Sequence, residues 1–144
     1  MSTLTTGWLF WALLAAVFAA MTAILAKIGV ADVNSNLATL IRTWVVIAAL
    51  SLIVWARGEY VGLPSVSGRT WVFLGLSGLA TGASWVCYFR ALQLGKASQV
   101  APIDKLSIVL VTIFAAIFLG ERLSQAGWVG VAMIAGGALL VARG

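Results

Sequence analysis

The sequence predicts an all-α, polytopic membrane protein built from five transmembrane helices. Three observations lead there. Hydrophobic residues make up 62% of the 144-residue chain and charged residues only 9%, against roughly 25% charged in a soluble domain. The apolar residues gather into stretches about as long as the roughly 20 residues a helix needs to cross a bilayer. The connections between them are short, namely "ADVNS", "GEYVGLPSVSG", "GKA" and "ERLS". Helices are the open-ended structures that can cross lipid, because each pairs its own backbone groups.

The first span covers roughly 7–30. The segment "MSTLTTGW" ahead of it lacks a basic region, and the apolar run that follows is too long for the core of a cleaved signal. The helix is therefore expected to stay in the membrane. Ala15, Ala19, Thr22 and Ala26 share one of its faces, and Ala16, Ala20, Ala23 and Lys27 share the next. Small residues of this kind let helix backbones approach in lipid. The second span, roughly 36–57, begins after the turn residues Asn34 to Asn36 and ends at Gly58, with Pro64 and Gly68 beyond. The third, roughly 69–94, closes at Gly95 and carries Gly75, Gly78 and Gly82 on one stripe. The fourth, roughly 97–120, ends at Gly120, where Glu121 and Arg122 read as a loop cap. The fifth, roughly 124–143, places Gly127, Gly130 and Gly137 on one stripe with Gly136 beside it. It has no polar residue between Trp128 and Arg143, which suits structural or dimer contacts better than substrate contacts. Trp8, Trp55, Trp71 and Trp128 fall near the span ends on the N-terminal side, as an interfacial aromatic belt does. Trp44 and Trp85 lie deeper.

Composition excludes several function classes. The net charge of +5 comes from single basic residues scattered between apolar runs, so no nucleic-acid partner is expected. The single cysteine, Cys87, rules out a disulfide framework. With no histidine in the chain, neither a metal site nor a histidine base is expected, and no cofactor is implied. Nucleophilic catalysis would have to rest on Asp104 or a lysine with Ser98 or Ser107. Nothing in the spacing demands such an arrangement, so the chain does not read as an enzyme.

The informative charges are those inside the spans. In "KASQVAPIDKLSIVL", Asp104 and Lys105 sit side by side ahead of a wholly apolar run. Lys105 lies about 12 Å along its helix at about 1.5 Å per residue. Two charges at mid-membrane cost about 5–7 kcal/mol on insertion scales, and the Val, Ile, Leu and Phe residues of the span offset about 4–7. A helix so nearly balanced is expected to face its charges toward neighbouring helices or a water-filled cavity. Adjacent residues diverge by about 100° on a helix, so Asp104 and Lys105 are expected to take different partners. Lys105 shares a face with Ser98, Ala101, Val109 and Thr112. Pro102 has no amide hydrogen. It marks either a kink or break inside the helix, where transporter sites form, or a first turn, where proline is a good helix starter.

Lys27, Arg42 and Arg90 are the other intramembrane cations, each near the corresponding end of its helix. Each can snorkel to headgroups or line a cavity. Around Arg90, "WVCYFRALQ" sets Trp85, Tyr88 and Phe89 just below a guanidinium. That arrangement fits an interfacial anchor, and it equally fits a cavity with apolar walls and a few placed polar groups.

An odd number of spans leaves the termini on opposite faces. The N-terminal face carries Arg57, Arg69 and Arg122; the other carries Lys96 and Arg143 clear of the spans. Orientation follows the Lys/Arg bias of short loops, and here the bias is almost nil. Insertion in both orientations is therefore expected, unless an unseen partner sets the topology. Two oppositely inserted copies would make an antiparallel homodimer of ten spans, mirroring transporters made of two fused inverted repeats.

"AMTAILAKIGV", the lone arginine of "TLIRTW" and the run "YFRALQLGKASQVAPIDKLSIVLVTIFAAIFLGERLSQAGWVGVAMIAGGALLVA" together resemble the EamA-type branch of the drug/metabolite transporter superfamily. The resemblance covers nearly the whole chain, 1–144, as a single five-helix repeat, where the usual members carry two inverted repeats. It implies alternating access from a central cavity lined by the first four spans, with the fifth peripheral. The small multidrug-resistance relatives use a glutamate in their first helix to exchange protons for cations. Here that helix has no carboxylate, only Lys27, and Lys27, Arg42, Arg90 and Lys105 outnumber the single intramembrane carboxylate Asp104. Positive cavities concentrate anions. The expected function is therefore secondary transport of small metabolites, zwitterionic or anionic rather than cationic, by an antiparallel homodimer in the cell's inner (plasma) membrane. The expected partners are a second copy, the solute and membrane lipid. The expected substrate-binding or coupling residues are Asp104, Lys105, Arg90, Trp85, Tyr88, Lys27, Arg42 and Ser98. Asp104 is the first candidate for proton coupling and Lys105 the second, since burial lowers a lysine's pKa. The alternative is a non-transporting subunit of a heteromeric carrier or of a lipid-linked-precursor flippase.

Overall fold

The computed structural model describes residues 7–144, and the expectation about an uncleaved N-terminus falls partly on residues outside that range. The described chain is all-α. Helix α1 spans Trp8–Gly29, α2 Ser35–Ala56, α3 Gly68–Leu94, α4 Ala97–Asp104, α5 Ser107–Phe114 and α6 Gln125–Arg143. Among the described residues five stretches are long and apolar enough to cross a membrane: α1, α2, α3, the segment Ala97–Leu119, and α6. Their limits fall within a residue or two of those expected from hydropathy. The large apolar side chains point outward along these helices, with Trp8 at 81% exposure and Leu140 at 70%, as in a chain whose solvent is lipid.

Two details depart from a plain row of rods. The connection after α2 holds a 3₁₀ helix, Glu59–Ser65, entered through Gly58 at φ 68°. A left-handed turn of this kind suits glycine, which has no Cβ to clash. Arg57 Nε meets Glu59 Oε1 across it at 2.7 Å. The fourth span is broken: α4 stops at Asp104, α5 begins at Ser107, and Ala115–Leu119 continues as a π-helical turn. Gly120 closes that turn at φ 69°, and the amides of Gly120 and Glu121 both reach the Ala115 carbonyl. The cap read from "LGERLS" is thus a glycine cap, with Glu121 contributing its backbone.

The chain forms two compact units. One joins residues 7–27 with Leu94–Gly144; the other is Ile28–Gln93. In the first, α6 packs on α4 and α5, Ala23, Ala26 and Ala138 are buried, and Gln99 Nε2 donates to the Ala142 carbonyl at 3.2 Å. In the second, Val30 and Leu92 are fully buried, joined by Phe89, Ser35 and Thr39. Asn34 caps α2 by accepting the Asn36 amide at 2.9 Å, and the hydroxyl of Thr39 returns to the Ser35 carbonyl at 2.7 Å. Gln93 Nε2 donates to the carbonyls of Val30 at 3.1 Å and Val33 at 2.6 Å, tying the turn between α1 and α2 to the end of α3.

The small-residue stripes were expected to mark close helix packing, and within this chain most do not. A Cβ built on Gly75, Gly78, Gly82, Gly130, Gly136 or Gly137 meets no atom within 4 Å among the described residues. Ala15, Ala16, Ala19 and Ala20 are exposed, and only the last turns of α1 are closely packed. The reason is local: the turns and the polar side chains that tie them draw helix ends together, and apolar faces in lipid have no comparable drive to close.

Gln93→Leu should therefore destabilise the fold. It keeps the side-chain bulk and leaves the Val30 and Val33 carbonyls without their donor, at about 1–3 kcal/mol for each unsatisfied buried group. The expected result is a thermal midpoint lower by several degrees in detergent, with Gln93→Glu, which replaces the donor by an acceptor, no better.

Candidate functional site

In the unit formed by Ile28–Gln93, α2 brings Arg42 against α3. Arg42 lies about 10 Å along α2 from Ser35, at about 1.5 Å per residue. Its guanidinium carbon stands 4.0 Å from the centre of the Trp85 ring and 5.6 Å from that of Phe89. Trp85, Tyr88, Phe89 and Leu92 follow the i, i+3, i+4, i+7 spacing that puts them on one face of a helix. Phe89 and Leu92 are buried at the end of that face, while Trp85 and Tyr88 remain half-buried. A cation over an indole ring contributes about 0.5–2 kcal/mol, more as water is excluded. The aromatic surface anticipated from "WVCYFRALQ" is present, but the cation on it is Arg42. Arg90 is exposed and its Nη1 donates instead to Gln93 Oε1 at 3.2 Å. The helical spacing accounts for this, since residue 90 is turned about 100° from Phe89.

In the other unit, Pro102 is the sixth residue of α4 and the helix breaks just after Asp104. Of the two readings open for this proline, the intrahelical break is the one observed. Proline cannot donate to the Ser98 carbonyl one turn back. The backbone then tightens into three-residue turns: the Lys105 amide reaches Pro102 O at 3.1 Å, Leu106 reaches Ile103 O at 3.0 Å, and Ile108 reaches Lys105 O at 3.0 Å. At the break Lys105 Nζ donates to Asp104 Oδ2 at 3.3 Å. The expectation that these neighbours take different partners is overturned. The long lysine stem folds back across the loosened turn, and the two charges compensate each other. Lys105 is exposed and Asp104 half-buried. Ser98, one turn above Pro102, is exposed and makes no side-chain hydrogen bond among the described residues.

Lys27, in the last turn of α1, donates from Nζ to the Gly95 carbonyl at 2.9 Å. Its ammonium thus caps the turn that leads into α4, where snorkelling or a cavity role was expected. Gln93 and Gln99, which hold carbonyls of the α1–α2 turn and of α6, escaped the sequence reading. The signal available for both was a long amide side chain within one turn of a helix end, beside Gly95. Among the described residues no three His, Cys, Asp or Glu side chains come together as a metal-binding group.

Arg42 and Trp85 should be energetically coupled. A double-mutant cycle of Arg42→Met with Trp85→Leu, read by denaturation in detergent, is expected to give about 0.5–2 kcal/mol. The same cycle between Arg90→Met and Trp85→Leu is expected to give a coupling near zero.

Residues 6–143 match the model of the EamA-like transporter family. The chain is 60% identical over 136 residues to a protein of Sinorhizobium sp described as "Uncharacterized transporter in cobO 3'region", a match covering 94% of this chain and 96% of that one. No solved structure matches the chain. With a match that runs nearly end to end and five apolar helices to carry it, the chain belongs to the EamA-like transporter family and is a single-repeat, five-helix member of it.

Proposed function

We propose that this membrane transporter is a secondary carrier of small zwitterionic or anionic metabolites, working by alternating access as an antiparallel homodimer in the inner membrane. The observation that carries the choice of solute is Arg42. It is a cation well inside its span, held on an aromatic ring, with no carboxylate paired to it among the described residues. A permanent positive charge in a low-dielectric setting draws anions and repels cations. Supporting the dimer are the odd number of spans, the near balance of Lys and Arg between the two loop faces, and glycine faces on α3 and α6 left without neighbours among the described residues. Two oppositely inserted repeats, 1–144 each, would then supply the ten helices that fused inverted repeats supply elsewhere.

Within that proposal Asp104 and Lys105 form the coupling element. Their ion pair sits at a helix break, and a proton delivered to the carboxylate releases the lysine. Trp85 and Tyr88 supply the flat wall beside Arg42. Arg90 and Lys27 act at one remove, by holding Gln93 and the Gly95 turn, and Ser98 offers a hydroxyl at the head of α4.

Two measurements test this. A reporter fused to the C-terminus should be accessible from both sides of the membrane. A signal from one side only, from protein that never self-associates, would point to the subunit of a heteromeric carrier or lipid-linked-precursor flippase. In proteoliposomes, Asp104→Asn should abolish proton-driven uptake of labelled amino and organic acids, and Lys105→Ala should reduce it at least tenfold. Unchanged uptake in both variants would remove the pair from the mechanism.

A further inference from the structure

We infer that the Arg42 guanidinium, backed by Trp85, is the group that binds a single carboxylate of the transported solute. The guanidinium carbon lies over the Trp85 ring, 4.0 Å from its centre. The guanidinium's N–H donors lie in its plane, at the rim, in the fork that matches a carboxylate. Among the described residues none of those donors is spent: Arg42 makes no hydrogen bond, and the ion pairs are Arg57 with Glu59 and Lys105 with Asp104. Neither α2 nor α3 contains an aspartate or glutamate. Within this unit the carboxylates are Asp32, in the turn before α2, and Glu59, already paired. Arg42 is thus an intramembrane cation that makes no hydrogen bond among the described residues and has no acidic residue on its own two helices.

Charge matching narrows the class. One guanidinium neutralises one negative charge, so a singly charged oxyanion leaves the site neutral, whereas a phosphate dianion leaves an uncompensated charge in a low-dielectric setting. Arg90 is turned to Gln93 and does not add a second cation to the ring. A singly charged oxyanion could come from a carboxylate solute or from a phospholipid headgroup. The depth of Arg42, about 10 Å along α2 from its first residue, favours the solute, because headgroups lie at the helix ends. The half-buried Trp85 and Tyr88 provide apolar surface for the body of a small organic acid.

This assignment rests on the carrier function proposed above, and binding separates the two. Purified protein in detergent is titrated with acetate, lactate, alanine, phenylalanine and benzoate, each against its own carboxamide, and with inorganic phosphate. The thermal midpoint and the Trp85 fluorescence, isolated by difference from Trp85→Phe, are followed. At least one carboxylate is expected to raise the midpoint and change the fluorescence where its carboxamide does neither. Arg42→Gln should weaken that binding at least tenfold, and Arg42→Lys should retain part of it. Should Arg42→Gln fail to fold, the comparison of carboxylate with carboxamide on the unaltered protein still decides. Carboxylates acting no better than carboxamides, or equally well on Arg42→Gln, overturn the assignment. So does a response to phosphatidylglycerol micelles or to inorganic phosphate alone. Arg42-dependent binding without uptake in proteoliposomes keeps the site and removes the carrier. Uptake of carboxylates undiminished in Arg42→Gln keeps the carrier and removes the site.

Discussion

The hydrocarbon of a bilayer offers no hydrogen bonds, so a carbonyl freed and buried there needs a donor from the chain. This constraint acts in both units, beside the packing of α6 on α4 and α5. Few side chains are fully buried, and the large apolar ones face outward. What holds each unit is a handful of long polar side chains reaching backbone oxygens: Gln93 to Val30 and Val33, Lys27 to Gly95, Gln99 to Ala142. Each joins segments distant in sequence. Each also removes an unsatisfied acceptor, whose burial costs more than the bond itself contributes in water.

The same constraint explains the broken fourth span. Pro102 leaves the Ser98 carbonyl without its usual donor, and the chain answers with tight turns around Lys105 and Leu106 and a π-helical turn before Gly120. A continuous helix would have sent Asp104 and Lys105 apart. The break lets them meet, so the fourth span carries a compensated pair in place of two isolated charges. Breaks of this kind are where membrane proteins expose backbone and charge to a cavity.

Arg42 is the complementary case. Its charge lies over the face of a ring, and among the described residues no carboxylate pairs with it.

Much of the fold was legible in the residues. Spans, turns and helix limits follow from hydropathy and from Gly, Pro and Asn at the boundaries, because crossing lipid requires a long apolar helix and little else. Single-residue chemistry was legible too: Pro102 and Gly120 carry their backbone consequences wherever they stand, and the intramembrane charges are conspicuous in so apolar a chain. Partnership was not legible. Whether Trp85 lies under Arg42 or Arg90, whether Lys105 meets Asp104, and whether Lys27 caps a carbonyl or lines a cavity depend on how helices rotate and where one breaks. The first and the last are decided by contacts between segments tens of residues apart, which no local spacing records, and the Asp104–Lys105 pair by the tight turn that follows Pro102. The glycine stripes show the same limit: within this chain most of them meet no neighbour among the described residues. A small residue permits close approach, and only the assembled structure determines whether a neighbour is there to make it.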